Sequence, residues 1–209
     1  MVVVAQVRPY GGVEGRERDA TRRRRFIDAG LELLGGSGDP DELTVRAICR
    51  QAGVAVRYFY ESFTDKDDLV AAVFDLVTAQ LASTTQAAVA AAPLPEQNRA
   101  GIANIVQMIS EDPRVGRLLF STKVSNSVLL HKRAELGGIF AMLSREHIQT
   151  ALRMPGNSHI SAVAHFVVGG VTQTISAWQA GEIALSPEQL VDQLDAILGV
   201  LNEPRLLQG

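Results

Sequence analysis

Basic and aromatic side chains lie close together in the pentapeptide Val-Arg-Tyr-Phe-Tyr near the end of the first third of the chain. On a helix, this spacing turns Phe59 inward. The other four side chains then reach outward: Val56, Arg57, Tyr58 and Tyr60. An outward arginine can donate two hydrogen bonds to guanine in the DNA major groove, which discriminates between bases by about 1–3 kcal/mol. Val56 could contact a thymine methyl group while Arg57 and Tyr58 read bases, so these residue types indicate contact with double-stranded DNA.

A pair of short helices joined by a tight turn must carry these side chains. Thr44 is a good N-cap for the first helix, and Leu43 and Ile48 lie at the positions of a hydrophobic staple. Gly53 then supplies a turn conformation that a residue with a Cβ would resist. The chain restarts as a second short helix, and such a pair presents its second helix to the major groove.

Further basic residues surround this pair of helices. Arg46, on the first short helix, could read bases, and Thr44 could donate a hydrogen bond to a phosphate as well as cap its helix. Arg22, Arg23 and Arg24 belong to a run of four arginines, and four consecutive residues cover every side of a helix. Some of them must point away from any core, either as a solvated face or as electrostatic or minor-groove contacts with DNA.

The stretch LTVRAICRQAGVAVRYFYESFTDKDDLVAAVF resembles the N-terminal domain of TetR-family transcriptional regulators. The resemblance covers roughly residues 20–75. It rests on eight positions in one unbroken register: Ala52, Gly53, Val54, Phe59, Tyr60, Phe63, Lys66 and Leu69. It implies that Tyr60 and Lys66 contact phosphates.

Two positions depart from the family pattern. Ala55 stands where the family usually has a Ser or Thr cap, and a missing cap costs roughly 1 kcal/mol. Tyr58 is bulkier than the small residue often seen at its position, so the geometry of base contact is expected to differ.

The rest of the chain is also helical by its pattern. Apolar residues recur at helical spacing, glycines and prolines separate the segments, and no strand-length alternation occurs. We predict an all-α chain of about nine helices. Its parts would be a flexible N-terminal arm over 1–15, a three-helix helix-turn-helix DNA-binding domain over 16–66, and a helical regulatory and dimerisation domain over 67–209. A long helix over 65–90, whose start to about residue 75 belongs with the DNA-binding domain, would link the two.

The charge distribution supports this division. The formal net charge is −3, but residues 1–66 hold 11 Lys and Arg against 10 Asp and Glu, whereas residues 67–209 hold 9 against 13. A near-neutral part with clustered arginines, followed by an acidic part, fits one DNA-facing domain and one domain that avoids DNA.

Several other classes of protein are disfavoured. The single cysteine excludes a disulfide framework and a multi-thiolate metal site, and Cys49 is expected to pack in the core. The four histidines form no HExxH pair, and neither a P-loop nor a GxSxG motif occurs, so we predict no catalytic residue, metal or cofactor. The N-terminal apolar run is too short for a signal peptide, and no stretch reaches the roughly 18 apolar residues of a membrane span. We therefore expect a cytoplasmic protein without membrane contact.

The resemblance implies that the later helices form a ligand-binding bundle and that the last two pair across a two-fold axis. The helix over 158–180 is apolar over so wide an arc that it must bury more than one side. The predicted dimer interface comprises Val163, Val167, Gly170, Val171, Leu190, Leu194, Ile197 and Leu201. The alternative is that these helices close one monomeric core.

A pocket for an amphipathic small molecule would use mostly apolar residues with a few polar groups. The candidates are Ile105, Met108, Leu118, Phe120, Phe140, Leu143, Phe166, Gln173 and Trp178. For each of them the alternative is plain core.

Together these features predict a homodimeric, sequence-specific DNA-binding regulator: a repressor that a small, largely apolar effector releases from a palindromic operator. The alternative is a DNA-binding dimer with no small-molecule effector, serving as an architectural factor or answering to a protein partner. An enzyme is a third hypothesis, and it would require a pocket with strongly perturbed titrating groups.

Overall fold

The computed structural model describes residues 11–36, 43–121, 126–201 and 203–207, and all regular structure in those ranges is helical. The helices are α1 (Gly11–Gly35), α2 (Val45–Ala52), α3 (Val56–Ser62), α4 (Lys66–Ala91), α5 (Gln97–Glu111), α6 (Pro113–Phe120), α7 (Ser127–Leu152), α8 (Ser158–Gln179), α9 (Pro187–Leu201) and α10 (Pro204–Leu207), with a short 3-10 turn (Leu94–Glu96) before α5. The prediction of an all-α fold with an N-terminal helix-turn-helix is confirmed.

Side-chain caps set the starts of several helices, and Thr44 is a cap that the sequence predicted. Thr44 accepts a hydrogen bond from the backbone N–H of Ala47 at 3.1 Å and so begins α2. Asp65 accepts hydrogen bonds from the backbone N–H groups of Asp67 and Asp68, both at 2.9 Å, and begins α4. These caps satisfy N–H groups that have no partner inside the helix.

One boundary differs from the prediction. Residues 11–15 were expected in a flexible arm, but they form the first turns of α1. The remainder of the predicted arm, residues 1–10, lies outside the described residues.

The largest hydrophobic core joins the first three helices to α4, α6 and α7. Its centre is aromatic: Phe26 of α1 meets Phe59 of α3 edge to face, with ring centroids 5.5 Å apart. Phe63 meets the same ring of Phe26 at 6.2 Å. Helix α4 buries side chains from Leu69 to Leu81 and packs against α1, α5 and α7. Helix α4 is therefore shared by the helix-turn-helix unit of α1 to α3, predicted to bind DNA and called the DNA-binding unit below, and by the helical body of α5 to α10.

The body is completed by two further packings. Helices α7 and α8 lie along each other, and α9 packs along α5. The core between α5 and α9 contains Ile102 and Val106 opposite Leu190 and Leu194. The core between α5 and α9 is thus closed within the single chain.

Candidate nucleic-acid interface

The turn between α2 and α3 depends on Gly53. This residue has φ 61° and ψ 37°, in the left-handed region where a Cβ is strained. The backbone N–H of Gly53 donates to the carbonyl of Arg50 at 3.2 Å, and that of Val54 donates to Cys49 at 3.1 Å. Arg25 of α1 donates to the carbonyl of Gly53 at 3.3 Å. The turn is thereby held against α1, which sets the angle at which α3 leaves it.

Helix α3 has a buried side and an exposed side, as predicted. Phe59 is completely buried and Phe63 is 2% exposed, whereas Val56 is 43% and Tyr60 61% exposed. Arg57 is also exposed. Ala55 occupies the N-cap position with extended backbone and makes no side-chain cap. The first turn of α3 therefore leaves N–H groups available to a phosphate or to water.

Tyr58 is placed differently from the prediction. It is half-buried against the main core, with the guanidinium groups of Arg22 and Arg57 at 4.5 and 4.6 Å from its ring centroid. Arg57 also donates a hydrogen bond to the Tyr58 hydroxyl at 2.7 Å. The expectation that Tyr58 reaches outward to read bases is corrected, because cation–π contacts hold its ring between α1 and α3.

The arginine run of α1 also has an internal role. Arg22 forms ion pairs with Asp19 and with Glu61 of α3. Arg23 donates to the carbonyl of Ser62 at 2.6 Å and lies over the ring of Phe63 at 4.2 Å. These contacts join α1 to α3. Arg22 and Arg23 are thus engaged within the protein, whereas the sequence had suggested them as candidates for contact with DNA.

The remaining predicted contacts are exposed. Arg24 and Arg46 are exposed on α1 and α2. Lys66 is exposed as the first residue of α4, and Thr44 is exposed at the start of α2. The hydroxyl group of Thr44 and the ammonium group of Lys66 can each donate a hydrogen bond to a phosphate oxygen.

Residues 26–73 match the family model described as bacterial regulatory proteins, tetR family. An uncharacterized HTH-type transcriptional regulator of Mycobacterium tuberculosis strain H37Rv is 24% identical over 190 residues, covering 87% of this chain and 79% of that protein.

Solved structures share the fold over nearly the whole chain. The fatty acid degradation regulator FadR from Bacillus halodurans has a TM-score of 0.72 at 16% identity, covering 88% of this chain and 96% of that one. FadR from Bacillus subtilis in complex with stearoyl-CoA has a TM-score of 0.67 at 20% identity, covering 86% and 97%.

The fold and the exposed face of α3 define a helix-turn-helix, DNA-binding transcriptional regulator. The match over residues 26–73, which run from α1 into α4, is to tetR-family regulatory proteins, and the solved structures share the fold over most of the chain. The family and the relatives are regulators and not enzymes.

The residues predicted to line a pocket lie in different environments. Phe166 is 67% exposed and Gln173 is exposed on α8, which corrects the prediction that these two line an interior pocket. Trp178 packs in the core between α5 and α9 and donates its indole N–H to the carbonyl of Leu185 at 2.8 Å. The others lie in or against the main core or are half-buried: Ile105, Met108, Leu118, Phe120, Phe140 and Leu143.

The residues predicted for the dimer interface also differ in their exposure. Leu190 and Leu194 are 0% and 3% exposed and face α5 of the same protomer, so their assignment to a dimer surface is wrong. The apolar side of α9 could have packed either on α5 of the same chain or on a second copy, and it packs on α5. Two of the remaining predicted residues are exposed, Gly170 and Ile197. The other four are half-buried: Val163, Val167, Val171 and Leu201.

A polar junction between α1 and α6 was missed by sequence reasoning. Arg114 donates to the carboxylate of Glu32 at 2.9 Å and to that of Asp112 at 2.7 Å. These hydrogen bonds lower the pKa of Asp112 and raise that of Arg114. Arg117 donates to the carbonyl of Gly35 at the end of α1. Glu32 and Arg114 are 82 residues apart, so no local spacing signals the pair.

Proposed function

We propose that the protein is a homodimeric repressor that binds a palindromic operator and is released by a small, largely apolar effector. The observation that carries the proposal is the division of α3 into a buried Phe59 and an exposed face with Val56, Arg57 and Tyr60. A helix held by its own core on one side and bearing a guanidinium, a phenol and a methyl-rich side chain on the other suits the major groove.

Each exposed side chain has a chemical role in this proposal. Arg57 exchanges its hydrogen bond with Tyr58 for two hydrogen bonds to guanine, and Val56 contacts a thymine methyl. Tyr60, Lys66 and Thr44 bind phosphates and fix the register, while Arg46 contacts the neighbouring bases.

The dimer is supported by an uncovered apolar face on the last long helices. Phe166 of α8 is 67% exposed, and Ile197 and Val200 of α9 are 44% and 55% exposed. A Cβ at Gly169 or Gly170 would meet open space, so another helix can approach α8 closely there. A second copy related by a two-fold axis would cover this face and place two α3 helices on successive major grooves.

The same helix could be taken for a membrane span. By length and composition alone α8 is apolar enough to cross a membrane, and only 17% of its most apolar window is buried within the protomer. Since the chain is similar to DNA-binding regulators, contact with a second copy explains the exposed apolar surface of α8 better than a membrane does. We therefore propose a cytoplasmic protein in which α8 contacts its symmetry mate.

Release by an effector is supported by a structural neighbour, since FadR from Bacillus subtilis was solved with stearoyl-CoA. In this chain α4 and the α1–α6 junction connect the body to the DNA-binding unit. In some conformations of the body, the two α3 helices of the dimer would be spaced so that they cannot reach both half-sites. An effector that binds such a conformation more tightly would shift the population toward it and so release the protein from DNA.

The alternative is a DNA-binding dimer without a small-molecule effector. Thermal-shift measurements with chemically diverse compounds, including long-chain acyl thioesters, separate the two. A compound that raises the melting temperature and also weakens operator binding supports the effector. Silence across the whole set favours the alternative.

Selection of bound sequences from random duplex DNA tests the central proposal. We expect recovery of an inverted repeat whose half-sites lie about one helical turn, roughly 10 base pairs, apart. Recovery of single half-sites without dyad symmetry would overturn the dimer, and no enrichment would overturn sequence-specific binding.

A further inference from the structure

A cleft of about 250 Å³ lies where α1 meets α4, α5 and the start of α6. Its walls are largely apolar and include Leu31, Val77 and Met108. Of the described residues that line the cleft, only Met108 was among those predicted to line a pocket. The cleft is therefore distinct from the pocket predicted in the body. Its walls come from both the DNA-binding unit and the body.

Three carboxylates line the same cleft, Asp28 of α1 and Glu111 and Asp112 at the end of α5. No lysine or arginine is among the described residues that line the cleft. Asp112 is paired with Arg114, so its charge is largely compensated. The cleft is thus an apolar recess with an acidic edge.

The other two carboxylates have no cationic partner in the described part of the chain. Glu111 accepts a hydrogen bond at 2.8 Å from the side-chain amide of Gln107, which is neutral. Asp28 forms no ion pair with any described residue. A positive group in the cleft would gain from both carboxylates, whereas an anion would be repelled.

We propose that this cleft binds a small organic cation with an apolar body. The cationic group lies at the edge formed by Asp28 and Glu111, and the apolar body packs on Leu31, Val77 and Met108. The volume is below the usual range for drug-sized ligands, so the ligand has on the order of ten non-hydrogen atoms. A neutral apolar ligand of this size would cover the carboxylates without compensating their loss of water.

The binding step does not depend on the proposed function, because it requires no DNA. Its consequence for DNA binding does rest on that function. A ligand contacting α1 on one side and α4 and α5 on the other stabilises the present orientation of the DNA-binding unit on the body, and so changes operator affinity.

The test uses benzyltrimethylammonium as the probe and methionine methyl signals of the full chain as the readout. The chain has four methionines, and with ¹³C-methyl labelling each gives a separate NMR signal. The signal of Met108 is expected to shift saturably as the probe is added. That of Met142, which is 45% exposed on α7, is expected to stay in place. Phenylmethanesulfonate, an anion of similar size, is expected to leave the Met108 signal unchanged.

Two variants locate the charge. Asp28→Asn and Glu111→Gln are each expected to weaken binding of the probe about two- to fivefold, the effect of losing one exposed ion pair. Glu188→Gln, which removes an exposed carboxylate at the start of α9, is expected to change nothing. The proposal is overturned if the Met108 signal does not shift, if the anion shifts it equally, or if neither cleft variant weakens the effect. Operator binding of the same proteins is measured separately, so a failure here is distinguishable from a failure of DNA recognition.

Discussion

At the scale of single residues, the five side chains that begin α3 have different surroundings although they are consecutive in sequence. Phe59 is completely buried, Tyr58 is held between two guanidinium groups, and Tyr60 is 61% exposed. Arg57 donates a hydrogen bond to Tyr58, and in the proposed complex it would exchange that contact for one with DNA. Tyr58 therefore positions Arg57, whereas Arg57 and Tyr60 are exposed and are the side chains proposed to contact an operator.

Replacing Arg57 and Tyr60 should weaken operator binding in two distinguishable ways. Arg57→Ala is expected to cost about 1–3 kcal/mol and to relax selectivity at one base pair, because a bidentate contact is lost. Tyr60→Phe is expected to cost about 1 kcal/mol evenly across sequences, because one hydroxyl contact to a phosphate is lost.

Fluorescence anisotropy on the selected operator and its single-base variants measures both effects. Arg205→Ala, an exposed arginine on α10 far along the chain, serves as the control. Unchanged affinity and unchanged salt dependence in both α3 variants would contradict the assignment of the site.

Replacing Asp112 should give a pH-dependent loss of stability. Asp112→Asn retains the side-chain oxygen that caps α6 but removes the charge paired with Arg114. The pKa of Asp112 is lowered in the folded protein, so its charge stabilises fully above the unfolded pKa of about 3.9. This contribution is lost as the pH falls through the lower folded pKa.

Urea unfolding of both proteins at several pH values measures this effect. The variant is expected to be less stable by about 1 kcal/mol at pH 7, and the difference should shrink as the pH is lowered below about 4. A difference of the same size at every pH would show that the charge of Asp112 is not its cause.

At the scale of elements, the structure joins the DNA-binding unit to the body at two places. One is α4, which runs continuously from Lys66 into the body. The other is the contact of α1 with α6, where Arg114 and Arg117 reach the end of α1. A Cβ at Gly35 would overlap the backbone carbonyl of Arg114, so the two helices approach too closely there for any side chain. Gly35 therefore has two roles: it ends α1, and it allows α1 to pack closely on α6.

A matched pair of glycine variants tests this junction. Gly35→Ala is expected to force α1 from α6 and to destabilise the protein by about 1–3 kcal/mol, as overpacking does. Gly15→Ala lies in the same helix with nothing within 4 Å of the new methyl group, and it is expected to stabilise by about 0.5–1 kcal/mol.

The free energy of unfolding in urea is measured for both variants, and operator affinity is measured at a temperature where both are folded. If Gly35→Ala is as well tolerated as Gly15→Ala, the close approach of α1 and α6 is not required. If it unfolds more easily but binds the operator normally, the junction stabilises the protein without orienting the DNA-binding unit.

At the scale of the whole molecule, the described residues combine a closed core with exposed apolar side chains on the last two long helices. The closed core includes α9, since Leu190 and Leu194 face α5. Phe166 of α8 and Ile197 and Val200 of α9 are exposed. These exposed side chains are the ones that the proposed dimer would cover.

Introducing a charge at Phe166 should break the dimer. Phe166→Glu buries a carboxylate without a partner if the two copies associate through α8, so the variant is expected to sediment as a monomer at micromolar concentration. Ile139→Glu changes a residue that is 50% exposed on α7 and is expected to leave the dimer intact.

Analytical ultracentrifugation gives the assembly state of both variants. The monomer should also lose most of its affinity for a two-half-site operator, since each half-site is then bound independently. A Phe166→Glu protein that remains dimeric would place the interface elsewhere.

The sequence alone determined the features that depend on neighbouring residues. Thr44 as a cap and Gly53 in the left-handed turn were both predictable, because their hydrogen-bond partners lie within a few residues. The inward position of Phe59 followed from helical spacing. The helix-turn-helix is built almost wholly from such local relations, and it was therefore identified correctly.

Only the tertiary structure decided which apolar side faces the protomer's own core and which faces solvent. Helices α8 and α9 are apolar on more than one side, so spacing could not tell that Leu194 is buried while Phe166 and Ile197 are exposed. The pairing of Glu32 with Arg114 joins residues far apart in the chain. The partner of a side chain on such a helix is set by packing between distant segments, whereas the sequence specifies only that a partner is needed.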